Sequence, residues 1–222
     1  MKPIEIVARE RTPEGDELVL SQRDGVYSLS IDGQELMTSR VHGSEETLAR
    51  RVCEVIKERK APRVLIGGLG FGYTLRAALD CLPKGARVVV CEVFASLLEW
   101  NRGLLADLAG RPLEDRRVQA VRADVQSLLD GRDRFDAILL DVDNGPEAFT
   151  LRSNRHLYSA EGLGRLSRSL TAGGVLAVWS SSAAPDFVRR LRKAGFEPRT
   201  ERVAPRGGAG RRSHTLFLAR WR

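Results

Sequence analysis

Apolar and polar positions alternate in short runs over the first forty residues: Leu18-Val19-Leu20, then Val26 to Ile31, then the turn pair Asp32-Gly33. Runs of this length joined by Asp-Gly predict small antiparallel strands. A helical period follows from about Ser44 to Lys60, with Leu48, Val52, Val55 and Ile56 on one face. Ser44 suits the N-cap, and Glu45 and Glu46 suit the positive end of the helix dipole.

From Arg63 the pattern changes to strand and helix in alternation. Strands are predicted near Val64–Ile66, Val88–Cys91, Val118–Val121, Ala137–Leu140 and Val175–Val178. Helices are predicted near Leu75–Leu82, Ser96–Leu108, Val125–Leu129, Ala160–Leu170 and Pro185–Ala194. Unbroken apolar strands such as AILL require a sheet covered on both faces, which points to a doubly wound, mainly parallel α/β sheet. Phe196–Val203 and His214–Ala219 predict an antiparallel hairpin at one edge, joined by the loop PRGGAGRR. The expected division is a small β-strand region over residues 1–43 and an α/β domain over residues 44–222.

In such a sheet ligands bind beyond the carboxyl ends of the strands. Those ends carry the loop Gly68-Leu69-Gly70-Phe71-Gly72, then Glu92, Asp124, Asp141 with Asp143 and Asn144, and finally Ser180 to Ser182. The loop reads G-x-G-x-G, without the spacing of a dinucleotide fingerprint and without the basic residue of a P-loop. Glu92 lies 24 residues beyond Gly68, a suitable distance for a carboxylate that accepts from both hydroxyls of a ribose. Glycines that only allow tight strand–helix packing are the competing reading; Glu92 and Asp124 shift the balance to a nucleoside.

Charge and cysteine content alter this picture little. The net charge of +7 is carried mostly by Arg spread among acids; only Arg189–Lys193 and Arg206–Arg212 cluster as candidate phosphate contacts. Aromatic residues make up 6 % of the chain and do not interleave with the basic ones, so a nucleic-acid partner is not expected. Cys53, Cys81 and Cys91 form no CxxC pair, which argues against a zinc site and fits a reducing, cytoplasmic setting. No signal peptide or membrane span is expected.

The segments GGLGFGYTLRAAL, VVVCEV, RVQAVRADV, FDAILLDVDNGPEAF and HLYSAEGLGRLSRSLTAGGVLAVW together resemble the spermidine synthase-like family. The resemblance covers roughly Arg63 to Val203. It implies the Rossmann-like class I fold of S-adenosylmethionine-dependent transferases, a small-molecule acceptor and a homodimer. By the resemblance Gly68, Gly70, Phe71 and Gly72 would approach the donor's tail. Glu92 would hold the ribose, and Asp124 with Val125 the adenine. Asp141 would orient and deprotonate an attacking amine, with Asp143 and Tyr158 beside it. No metal is implied. His156 reads as structural, and Ser180 to Ser182 read either as turn formers or as pocket lining.

Departures from the family pattern bear on the reaction. Phe71 stands where the family's glycine loop carries an acid, Asn144 falls on the second Asp of its DSSDP segment, and Leu36 and Glu45 replace a Gln and a Tyr. Nucleoside recognition is kept while recognition of a cationic tail is largely lost. That favours S-adenosylmethionine and methyl transfer. Aminopropyl transfer from decarboxylated S-adenosylmethionine is the alternative, and a non-catalytic nucleoside- or polyanion-binding module is the third reading.

Overall fold

The computed structural model describes residues 3–11, 15–129, 131, 133–142, 145–147, 154–206 and 213–222. The chain divides into two compact units, Met1–His42 and Gly43–Arg222. The first is an antiparallel meander of β1 (Glu5–Arg11), β2 (Glu17–Arg23), β3 (Val26–Ile31) and β4 (Gln34–Thr38), in that order. Pairing of Leu18 with Ile31 and Leu20 with Leu29 gathers the buried residues of this sheet on one face. Two Asp-Gly pairs make its tight turns: Asp24 and Gly25, and Asp32 and Gly33, all at positive φ.

In the second unit α1 (Gly43–Ile56) precedes an alternating series. The series runs β5 (Arg63–Gly67), α2 (Tyr73–Cys81), β6 (Arg87–Glu92), α3 (Ala95–Arg102), β7 (Val118–Arg122), α4 (Val125–Leu128) and β8 (Phe135–Leu140). It continues with α5 (Asn154–Leu157), α6 (Ala160–Ser169), β9 (Leu170–Ser180), α7 (Pro185–Lys193), β10 (Phe196–Val203) and β11 (His214–Trp221). The sheet order is β10-β11-β9-β8-β5-β6-β7, with β5 to β9 parallel and β11 antiparallel to its two neighbours. The order reverses between β5 and β8, so a crevice opens at their carboxyl ends.

Successive residues of each strand serve opposite cores. Val64 and Ile66 pack with Leu48, Val52 and Leu79 of α1 and α2, whereas Leu65 packs with Leu163 and Leu166 of α6 and Phe187 of α7. That double burial is why the strands read as unbroken apolar runs.

Two helices are shorter than predicted. α1 stops at Ile56, and Arg59 beyond it instead reaches Asp136 and the carbonyl of Ala172. α3 stops at Arg102, because Gly103 breaks the period and the chain tightens into a 3-10 turn at Ala106–Ala109 that buries Leu105. β9 begins at Leu170, five residues before the predicted start, directly where α6 ends. A disulfide joins Cys53 of α1 to Cys81 of α2, with Cα atoms 6.1 Å apart. The two cysteines meet only because the helices pack side by side, and the bridge removes cysteine usage as support for a reducing compartment. No helix among the described residues is long and apolar enough to cross a membrane.

Candidate active site

The glycine loop leaves β5 at Gly67 and turns into α2 after Gly72. At Gly68, φ is +86°, and a Cβ would overlap the carbonyl oxygen of Asp141 and stand 2.8 Å from its carbonyl carbon. The absence of a side chain here is therefore required by β8, the neighbouring strand of the same sheet. Gly72, at φ +85°, sits against Pro112 and Asn101. Asn101 of α3 is 2 % exposed and donates to the carbonyls of Gly70 and Leu97, at 2.8 Å each. It ties the loop to α3, a role with no sequence signal because Asn101 lies on an otherwise ordinary amphipathic helix.

Glu92, at the end of β6, is buried and faces the loop. Its Oε2 accepts from the amide of Leu69 at 3.0 Å and its Oε1 from the amide of Phe94 at 3.1 Å. Burial raises its pKa, while these backbone donors act in the opposite direction. The amides of Val93 and Gly70 act on it in the same sense, so the carboxylate organises the loop from several sides. Asp124 caps α4 by accepting from the amide of Gln126 at 2.8 Å. Val125 is buried against Gly67. Phe71 is 1 % exposed, so its ring is part of the packing. The neighbouring Cys91 is held as an inert thiol, its pKa pushed up to about 12 by burial.

Asp141 stands just past β8. Thr74, in the first turn of α2, donates to its Oδ2 at 2.7 Å. Burial raises the Asp141 pKa to about 6, the Thr74 hydrogen bond acting against the shift. Facing it is Glu45 of α1, whose pKa is raised to about 7 by burial first and by the Asp141 charge second. Two half-buried carboxyls from distant segments thus act on one another and resist double ionisation. Ser44 links Glu45 to Trp179 of β9 and His214 of β11. Thr74, Trp179 and His214 carry no signal at the sequence level, since each lies inside a strand or helix pattern that is accounted for by packing.

The remaining candidates divide. Asp143 and Asn144 lie outside the described residues, as does most of the Arg206–Arg212 cluster. Tyr158 is 1 % exposed and its ring meets Phe187 edge-on at 5.5 Å, so the structure places that ring in the core. Ser180 is buried and accepts from the amide of Ser182 at 3.2 Å, the geometry of a turn former.

No protein-family model matches the chain, and no curated protein matches it in sequence. Solved structures do. A spermidine synthase in complex with the transition state analogue AdoDATO superimposes with a TM-score of 0.75 at 20 % identity, over 97 % of this chain and 72 % of that one. The spermidine synthase from Thermotoga maritima gives 0.76 at 20 % identity over the same shares. A probable spermidine synthase from Corynebacterium glutamicum ATCC 13032 gives 0.69 at 16 % identity, over 99 % of this chain and 81 % of that one. The chain has the fold of the spermidine synthases, including the N-terminal antiparallel sheet and the C-terminal hairpin.

Proposed function

We propose that the chain is a group transferase that moves an aminopropyl group from decarboxylated S-adenosylmethionine to an amine acceptor. The paired carboxyls of Asp141 and Glu45 carry this reading, because two half-buried acids that act on one another suit a cationic amine. The structural neighbours lend support: they are spermidine synthases, one of them holding AdoDATO. The methyl-transfer reading rests on Phe71 in place of an acid, and it finds no counterpart among those neighbours.

Glu92 would hold the donor's ribose, with the loop amide of Leu69 keeping the carboxylate in register. Asp124, anchored as a helix cap, would present its remaining acceptor capacity to the adenine side. The donor, when bound, supplies a carbon activated by an adjacent sulfonium, so the protein's share is placement and proton removal. Thr74 fixes Asp141 by one oxygen and leaves the other to take a proton from the amine nitrogen.

Calorimetry with both donors, followed by mass analysis of an incubation with a diamine, tests this. The expected result is tighter binding of the decarboxylated donor and an acceptor heavier by one aminopropyl group. A methylated acceptor would establish the other transfer. Binding of neither donor would sink the enzymatic reading altogether.

A further inference from the structure

Behind Glu45, the hydroxyl of Ser44 has three hydrogen-bonding neighbours: Glu45 Oε2 at 2.5 Å, His214 Nδ1 at 2.9 Å and Trp179 Nε1 at 3.0 Å. Ser44 is fully buried, so its protons have to match those of its neighbours. Trp179 can only donate, which occupies one lone pair of the oxygen. One proton and one lone pair remain for Glu45 and His214. One of these two groups therefore donates and the other accepts.

Two arrangements satisfy every atom with His214 neutral. In the first, Glu45 is a neutral carboxyl donating to Ser44, Ser44 donates to Nδ1, and His214 carries its proton on Nε2. In the second, Glu45 is ionised and accepts from Ser44, while His214 donates from Nδ1. Passing from the first to the second moves the Glu45 proton to Ser44 and the Ser44 proton to Nδ1, and sheds the proton on Nε2. The net change is the loss of one proton from Glu45 at the far end of the chain. Return takes one proton onto Glu45 from the acceptor side, with rotation of the Ser44 hydroxyl and exchange of the His214 tautomer, and His214 is half-buried.

We propose that Glu45, Ser44 and His214, braced by Trp179, form a proton exit leading from the acceptor site. The inference rests on the amine-transfer reading above. An ammonium acceptor has to lose one N–H proton to free its lone pair. That pair then forms the N–C bond while the C–S pair stays with sulfur, so each transfer leaves one proton to dispose of. Asp141 faces Glu45 from the end of β8, Tyr73 interacts with it from α2, and Glu46 lies beside it on α1, with Arg50 bound to Glu46 at 2.6 Å. Burial first, and the Asp141 charge second, hold a proton on Glu45 up to about pH 7, and burial lowers the His214 pKa. The two satisfied arrangements therefore exchange near neutrality. Trp179 meets His214 edge-on with ring centres 4.5 Å apart, which fixes the imidazole against the relay.

Nitrogen-15 NMR of the histidine rings in the wild-type protein, titrated from pH 5.5 to 8.5, reads the relay without turnover. The expected result is a change of His214 from the Nε2–H to the Nδ1–H tautomer as pH passes about 7, abolished in Glu45→Gln. A His214 that keeps one tautomer throughout would overturn the proposal. In turnover, His214→Asn keeps a donor near the Nδ1 position but cannot pass a proton on. It should lower kcat by roughly 10²-fold, flatten the pH profile and be rescued by added imidazole, with donor KM unchanged. An unaltered pH profile in that variant would also overturn the relay. If the wild type transfers nothing to any amine, the proposed function falls, and the tautomer titration still decides the proton linkage.

Discussion

Replacing Gly68 by Ala isolates the close approach on which the site is built. Two costs add. An L-residue at φ +86° costs about 1–2 kcal/mol in backbone strain. The new methyl also overlaps the Asp141 carbonyl, so β5 and β8 have to part at their ends. That loosens the 2.9 Å bond from Asp141 N to Gly67 O, worth about 1 kcal/mol. The loss should be about 2–3 kcal/mol, a fall of roughly 7 °C in Tm for a chain of this size. Gly110→Ala is the control: its φ of +64° is left-handed too, but the nearest atom to a Cβ is Arg76 Cδ at 3.8 Å. Strain alone should cost about 1 kcal/mol there. Urea unfolding followed by tryptophan fluorescence compares them, since Trp100, Trp179 and Trp221 all lie in the Gly43–Arg222 unit. If the two variants differ by less than about 1 kcal/mol, the strand ends yield easily and the reasoning fails.

Two further perturbations probe the electrostatics. Glu45 has a folded pKa raised from 4.5 to about 7, so above pH 4.5 the unfolded chain releases a proton that the folded one retains, and stability falls as pH rises to about 7. Glu45→Gln should accordingly be more stable than wild type at pH 8 and lose that advantage by about pH 4.5; equal urea midpoints at pH 8 would contradict it. Arg117 donates to the carbonyls of Leu79 and Leu82 at the end of α2 and pairs with Asp115 at 2.7 Å. Arg117→Met should cost about 2–3 kcal/mol by denaturant titration. Asp115 is held at about 2 by Arg117, so the ion pair's share of this cost should be intact above pH 3.8 and vanish as pH falls through 2, while the carbonyl bonds persist.

Much of the fold was legible in local patterns. The runs Val64–Ile66, Val88–Cys91 and Ala137–Leu140 announce strands buried on both faces, and the polar residues at their ends mark the crevice. Periodicity reports how each segment is buried, and burial is a local property of side chains. Which segments become neighbours is decided by sheet order, and there the sequence is silent. Ser44 meets Trp179 and His214 across 135 and 170 residues only because β9 and β11 pair antiparallel beside α1. The partners that raise the pKa of Glu45, the bridge between Cys53 and Cys81, and the burial of the Tyr158 ring follow from the same packing. The glycine loop shows the division best. Its glycines were visible at once, but the atom that forbids a side chain at Gly68 belongs to Asp141, which β8 brings alongside β5 by parallel pairing.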